Sequence, residues 1–434
     1  MAASESEFVP ILLALPSLTP SLALEVLPHG LTLHRLFVQA DGRTHDLLIG
    51  PEDPKDHLTQ KYTNTIVGRY ANRLPVTEST LSRSGITATF TPLANENPEV
   101  SLHGGPSGFD SKEWTPLLDP SESQLFSQAE VQTIMGTMPA GSAIVFRRIS
   151  EDGEEGFPGK LLVEALVGLV QPSGPQVQQE VLNLGSVVLV YRAKLLDKAK
   201  VTPINLTQHW GFNLDASLRD EDERTSPESL SVKDHKLTIQ ADNTIELTSK
   251  GLSSGTLAPV KGTHHAHLEK ETKKIGERWP ESGYDEFYLF SSRDIIAPTR
   301  IPEKDLTPDK NFLQEILTTD QKDPVVELES DKSGLKITFD TNQSGVQFYS
   351  NNLTNPTKGA RKKIHGGSGV SGAGDSYGVG SAAFLEFHEP LAAWQNPSTL
   401  GPSGDDTLLA SGEIYNNYVR MDVWFKPPKH LKEE

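Results

Sequence analysis

Apolar and polar residues alternate with a period of two along most of this chain. LTLHRLFVQADGRTHDLLIG (31–50) alternates on both sides of Asp41-Gly42. That pair suits the left-handed backbone of a tight turn, so the segment predicts a β-hairpin. ITATFTPL (86–93), SAIVFRRIS (142–150), KLLVEALVGLV (160–170) and SVVLVYRAKLL (186–196) predict further strands. So do KLTIQADNTIELT (236–248), EFYLFSS (286–292), GLKITFDTN (334–342), GVQFYSNN (345–352), AAFLEFHE (382–389) and YVRMDVWFK (418–426). Only NFLQEILTT (311–319) has the spacing of a short amphipathic helix. Many strands joined by polar turns point to an all-β sandwich or barrel.

Three segments interrupt the pattern. SLRDEDERTSPESLS (217–231) is densely charged, a second runs through KDLTPDK (304–310), and TKGARKKIHGGSGVSGAGDSYGVGS (357–381) is basic and then Gly/Ser-rich. All three are expected to be surface loops, the last too polar and glycine-rich to pack as core. No repeat of fixed short period is present.

The apolar stretch FVPILLALPSL (8–18) follows Glu5 and Glu7 with no basic residue, and Pro10 and Pro16 interrupt it. A signal peptide needs a positive start, and a long helix does not tolerate those prolines. The segment is expected to be extended and packed on the body of a cytoplasmic protein, with secretion as the less favoured alternative. Only secretion would make Asn205, Asn342 and Asn352 glycosylation sites. No apolar run reaches membrane-spanning length.

Composition narrows the function classes. The 434 residues carry a formal charge of −18, which argues against nucleic acid or an anionic membrane as partner. There is no cysteine, which excludes disulfides, thiolate metal sites and a cysteine nucleophile. His264, His265 and His267 form an HHAH cluster, but their segment supplies no further ligand; no metal and no cofactor are expected.

Five blocks carry candidate chemistry. NLTQHWGFNL (205–214) places His209 among strand formers, where an imidazole can move protons near neutral pH. A lone strand histidine is more often a structural hydrogen-bonder, so the other blocks decide. AAFLEFHEPLAAWQNP (382–397) puts Glu386 on one face with Phe384 and His388, opposite Leu385 and Phe387. An inward carboxylate among apolar neighbours is expensive unless paired or functional. NTIVGRYANRL (64–74) offers Asn72 and Arg73, whose several donors suit neighbouring sugar hydroxyls. In SLHGGPSGFDSKEW (101–114) His103 precedes two glycines, the mark of a tight turn with exposed backbone. ESGYDEFYLF (281–290) places Asp285 at the start of a strand.

Taken in order, these blocks resemble the aldose 1-epimerase (galactose mutarotase) family. SEDGEEGFPGKLLVEALVGL (150–169), AKVTPINLTQHWGFNL (199–214), SSGTLAPVKGTHHAH (253–267), SGVQFYSNN (344–352) and LEFHEPLAAWQNP (385–397) look like that family's successive blocks, over about residues 25–426. The resemblance implies a galactose-mutarotase-like β-sandwich (supersandwich) of antiparallel strands with few short helices. It implies one domain over 1–434, with surface loops inserted at about 217–231, 303–325 and 357–381. By the same resemblance Glu386 is the general base at the anomeric C1 hydroxyl and His209 the general acid at the ring oxygen. Asn72, Arg73, His103, Asp285 and Gln347 match binders of sugar hydroxyls, and Trp210 is a candidate for stacking on the sugar. The implied partner is a free aldose, and the assembly a monomer or homodimer.

The chain departs from the family's pattern beside the acid. Gln208-His209-Trp210-Gly211 stands where Asn-His-Ser-Tyr is usual, Glu286 replaces a histidine, and His388 replaces a glutamine. The acid and base survive while the wall changes. Two alternatives follow: a hexose-6-phosphate 1-epimerase using the basic run Arg361-Lys362-Lys363, or a non-catalytic sugar-binding protein.

Overall fold

The computed structural model describes residues 4–172, 177–178, 181–218, 230–268, 274–319, 321, 323–359 and 361–427. Antiparallel sheets dominate, with two α-helices among the described residues, Gln128–Thr137 and Gln314–Thr318. The larger sheet runs, in spatial order, through Thr115–Leu117, Ala143–Ser150, Leu161–Val170, Val181–Leu195, Glu413–Phe425, Leu335–Thr341, Val326–Glu329 and Lys236–Ile239. A six-stranded sheet runs through Gly211–Phe212, Ala383–His388, Gly345–Tyr349, Asp285–Phe290, Ala241–Leu247 and Ser253–Pro259. A four-stranded sheet holds the N-terminal segment.

The two main sheets pack face to face. Phe339 of the larger sheet meets Phe387 of the smaller at 5.0 Å between ring centroids, and Trp210 and Phe212 at 5.8 and 5.7 Å. One apolar core takes residues from both sheets and from the N-terminal sheet. Every described residue of Leu161–Val170 is buried, which matches its nearly unbroken run of apolar side chains.

The hairpin at Asp41-Gly42 forms as the alternation predicts. Ala40 pairs with Arg43, and both turn residues are left-handed, at φ 53° and 67°. The 8–18 segment is extended over Ile11–Ala14 and paired with Leu22–Leu27, burying Phe8, Leu13 and Leu15. Among the described residues no helix is long and apolar enough to cross a membrane. Asn205 and Asn342 are fully buried, and their amides bond the Glu389 and Asn416 carbonyls. These two asparagines are therefore structural.

Two expectations change. Helix Gln128–Thr137 was not predicted, although SQAE is a capping box: Ser127 accepts from the Glu130 amide and Glu130 from that of Ser127. Only Val131 and Ile134 supply apolar buried positions, too few to show a stripe. Glu130 instead forms a buried two-point ion pair with Arg192, at 2.6 and 2.7 Å.

The second correction concerns 357–381. Of the loop predicted at 217–231, residues 219–229 lie outside the described residues; the 357–381 segment, apart from residue 360, does not. It is not all surface: Arg361, Lys362 and His365 are buried. Lys362 Nζ donates to the His34 and Leu48 carbonyls and to Asp46 Oδ2 at 2.7, 2.8 and 2.8 Å. Enough acceptors surround this cation to offset the loss of water, a property composition does not reveal.

Candidate active site

The end of the Gly345–Tyr349 and Ala383–His388 strands opens into a cleft of about 500 Å³. Glu386 and Gln347 are directly paired across these strands, and Gln347 Nε2 donates to Asp285 Oδ1 at 2.7 Å. Alternation sends Leu385 and Phe387 into the core and Phe384 and Glu386 into the cleft, as the sequence predicts.

His209 comes from the segment between two short strands, Thr207–Gln208 and Gly211–Phe212. Its backbone is fixed on both sides, donating to the Thr65 carbonyl and accepting from the Asn64 amide. Its Nε2 lies 3.2 Å from Glu386 Oε1. Burial pushes the imidazole down to about 4 and pushes the Glu386 carboxyl well above its usual range, the latter aided by nearby Asp285. Both shifts favour the uncharged forms, a carboxyl beside a neutral imidazole with one exchangeable proton between them.

Asn72 and His103 face each other where Arg73–Pro75 pairs with Val100–Leu102. The Asn72 amide donates to His103 Nδ1 at 3.2 Å, and the His103 amide to the Asn72 carbonyl. Burial and the neighbouring His209 hold the His103 imidazole neutral. With Nδ1 accepting, Nε2 carries the proton and is the ring's remaining donor. Both residues are left-handed, at φ 64° and 53°. A Cβ on Gly104 would come 2.1 Å from the Gly68 carbonyl oxygen, so the glycine after His103 permits this turn.

Arg73 is clamped at its Nε and Nη2 by the Glu96 carboxylate, at 2.8–3.1 Å, with Asp285 Oδ2 3.8 Å from Nη1. The cleft therefore gathers Asn72, Arg73, His103, His209, Asp285, Gln347 and Glu386 from six chain segments.

Trp210 is corrected. It does not line the cleft: it is 1% exposed, its Nε1 donates to the Leu385 carbonyl, and its ring packs on Phe212 and Phe339. Neighbouring residues in extended chain point to opposite sides, so a cleft-facing His209 puts Trp210 in the core. The aromatic wall comes from Tyr62, Tyr349 and Phe384, which the sequence reading missed. Phe384 lies 4.8 Å from the His209 ring, and a Cβ on Gly211 would come within 2.6 Å of it. Gly211 thus makes room for the Phe384 ring. Gln208 and His388 are structural as well: Gln208 Nε2 bonds the Leu31 and Asn64 carbonyls, and His388 Nδ1 bonds the Glu389 carbonyl.

The basic run does not line the cleft. Arg361 and Lys362 are buried in the 361–367 turn, and the Lys363 amide is bonded to Glu52.

The family model for aldose 1-epimerase matches residues 18–421. Galactose mutarotase from Sus scrofa is 27% identical over 406 residues, covering 93% of this chain and 90% of that protein. Aldose 1-epimerase from Escherichia coli K12 is 27% identical over 322 residues, covering 73% and 72%. Among solved structures, the Caenorhabditis elegans GalM/aldose epimerase homologue superposes with a TM-score of 0.65 at 20% identity, covering 96% and 98%. Galactose 1-epimerase from Lactobacillus acidophilus gives 0.61 at 17% over the same shares. These two structures share the fold.

Proposed function

This chain belongs to the aldose 1-epimerase family of isomerases, and from that premise we propose that it interconverts the α and β anomers of a free aldose, with Glu386 and His209 moving the protons. The observation that carries the reading is the buried contact of 3.2 Å between a carboxyl and an imidazole in a cleft also lined by Asn72, Arg73, His103, Asp285 and Gln347.

A bound sugar parts the two. With the shared proton on His209, Glu386 takes the proton of the C1 hydroxyl while His209 gives its proton to the ring oxygen. The C1–O5 bond breaks, its electron pair staying on oxygen, and C1 becomes the aldehyde carbon. Rotation about C1–C2 presents the other carbonyl face. O5 attacks it, His209 recovers the O5 proton, and Glu386 returns its proton to the carbonyl oxygen. No proton is gained or lost overall. His103 Nε2–H is placed to donate to oxygen charge as the ring opens. Asn72, Arg73, Asp285 and Gln347 hold the remaining hydroxyls, and Tyr62, Tyr349 and Phe384 cover the sugar's apolar face.

A polarimetric panel tests this. Freshly dissolved α-D-glucose and α-D-galactose should mutarotate faster with the protein than in buffer, and glucose 6-phosphate no faster than glucose. Acceleration of phosphorylated sugars alone overturns the free-aldose reading. Calorimetric binding without acceleration overturns catalysis.

The pH profile has a definite sign. The imidazole is pushed down to about 4, so the pair gains a second proton only below that value, where no base is left. The carboxyl is pushed up, so the shared proton leaves only above the usual carboxylate range, and once it has left no acid remains. The profile of kcat/KM should be a broad bell with its acid limb near pH 4, its two limbs belonging to the pair rather than to either residue. An acid limb near 6.5 would show His209 free of the burial described.

A further inference from the structure

On the Asp285–Phe290 strand, Asp285 faces the cleft and Glu286 the opposite side, where it pairs across the sheet with Phe348. There it meets the 263–267 turn. His264, His265 and Glu286 each bring a ligand-type atom within 4.8 Å of the other two. The two imidazoles adjoin at 3.9 Å between ring centroids, and His265 Nδ1 lies 3.9 Å from Glu286 Oε2. His265 and Glu286 are half-buried and His264 is open to solvent.

Its polar partners are few. Glu286 accepts from the Asp285 amide, and His265 Nδ1 meets the Tyr288 hydroxyl at 2.8 Å. Among the described residues no lysine or arginine lies within ion-pair distance of Glu286, whose one such partner is His265. Tyr284 and Tyr288 wall the group. A half-buried carboxylate beside two imidazoles, without a fixed cation, is what a divalent metal ion would complete. His267, the third histidine of HHAH, turns inward against Tyr284 and Phe348, so the third donor comes from the strand instead.

We propose that His264, His265 and Glu286 bind one divalent cation of the zinc class, water filling the open coordination position, and that the ion ties the 263–267 turn to the strand carrying Asp285. Two nitrogens and one carboxylate oxygen suit a borderline-soft ion such as zinc. Tetrahedral zinc keeps donors roughly 3.3 Å apart at bonds of about 2.0–2.1 Å, so the donors, within 4.8 Å of one another, close by up to roughly 1.5 Å on binding. His265 Nδ1, the nitrogen facing Glu286, would ligate the ion in place of its bond to the Tyr288 hydroxyl.

A rival cluster must be separated, because His103, His209 and Glu386 also lie within 4.8 Å of one another in the cleft. The test is calorimetric titration of zinc into the chelator-treated full chain and into His264→Ala, His265→Ala, Glu286→Gln and Glu386→Gln. Cobalt(II) absorption provides a second readout, and metal-free melting temperatures check that each variant folds. The expected result is one ion bound by wild type and by Glu386→Gln, weakened at least about tenfold in each of the other three variants. Sugar anomer exchange should be unchanged in those three. No zinc binding by wild type, affinity untouched by all three variants, or binding lost only in Glu386→Gln would overturn the proposal.

Discussion

Replacing Glu386 by Gln should lower kcat for anomer exchange by about 10²–10⁴-fold, the range set by removing a positioned proton-transfer group. The amide keeps the shape of the carboxyl and cannot take the C1 proton. KM should change by only a few fold, because the sugar contacts proposed for Asn72, Arg73, Asp285 and Gln347 are left in place. Stability should hold or rise. Glu386 is a buried carboxyl whose Oε2 has no hydrogen-bond partner among the described residues, and burying such a group is unfavourable. A merely structural role for Glu386 predicts the reverse pattern, with a lower melting temperature and an unchanged rate. Polarimetry and thermal unfolding on the same preparation distinguish the two.

Lys362→Met should destabilise the fold by about 3–5 kcal/mol, the typical effect of removing one partner from a buried ion pair. Three acceptors lose their donor together: the His34 and Leu48 carbonyls and Asp46 Oδ2. Asp46 would keep Arg35 at 3.6 Å and the Leu36 and Leu48 amides at 3.1 and 3.2 Å, so it stays in place but is poorly compensated. Urea denaturation measures the change. A loss below about 1 kcal/mol, in the range of exposed pairs, would place Lys362 at the surface. Asn64 lies beside this layer, bonding both the Ile49 carbonyl and the Gly211 amide. Asn64 also donates its amide to the His209 carbonyl, so a weakened 361–367 turn should lower activity along with stability.

The sequence made the long strands legible because a strand buried on one face repeats every two residues. That periodicity also placed Glu386 on the opposite face from Leu385 and Phe387, and the structure agrees. The same parity would have turned Trp210 away from the cleft once His209 faced it; the stacking assignment overlooked this. Elements of two or three residues, such as Ile66–Val67 and Thr207–Gln208, are too short to show any period. They nonetheless fix the backbone around His209.

Other features depend on partners far away in the chain. Lys362 is a core residue because Asp46, 316 residues distant, receives it. Glu286 joins the HHAH turn because the strand after Tyr284 passes beneath it. Glu96, which clamps Arg73, sits in a polar loop with no local signal. The aromatic wall of Tyr62, Tyr349 and Phe384 converges from three segments, and only Phe384 stood on a face the sequence had assigned.

We propose that Glu386 and His209 act as one proton-sharing unit. The most direct test is the mutarotation rate of freshly dissolved α-D-galactose with wild type, Glu386→Gln, His209→Asn and the double variant. A large loss is expected in each single variant and no further loss in the double, as for residues that work as a unit. A single variant at full rate, or losses that multiply in the double, would contradict it.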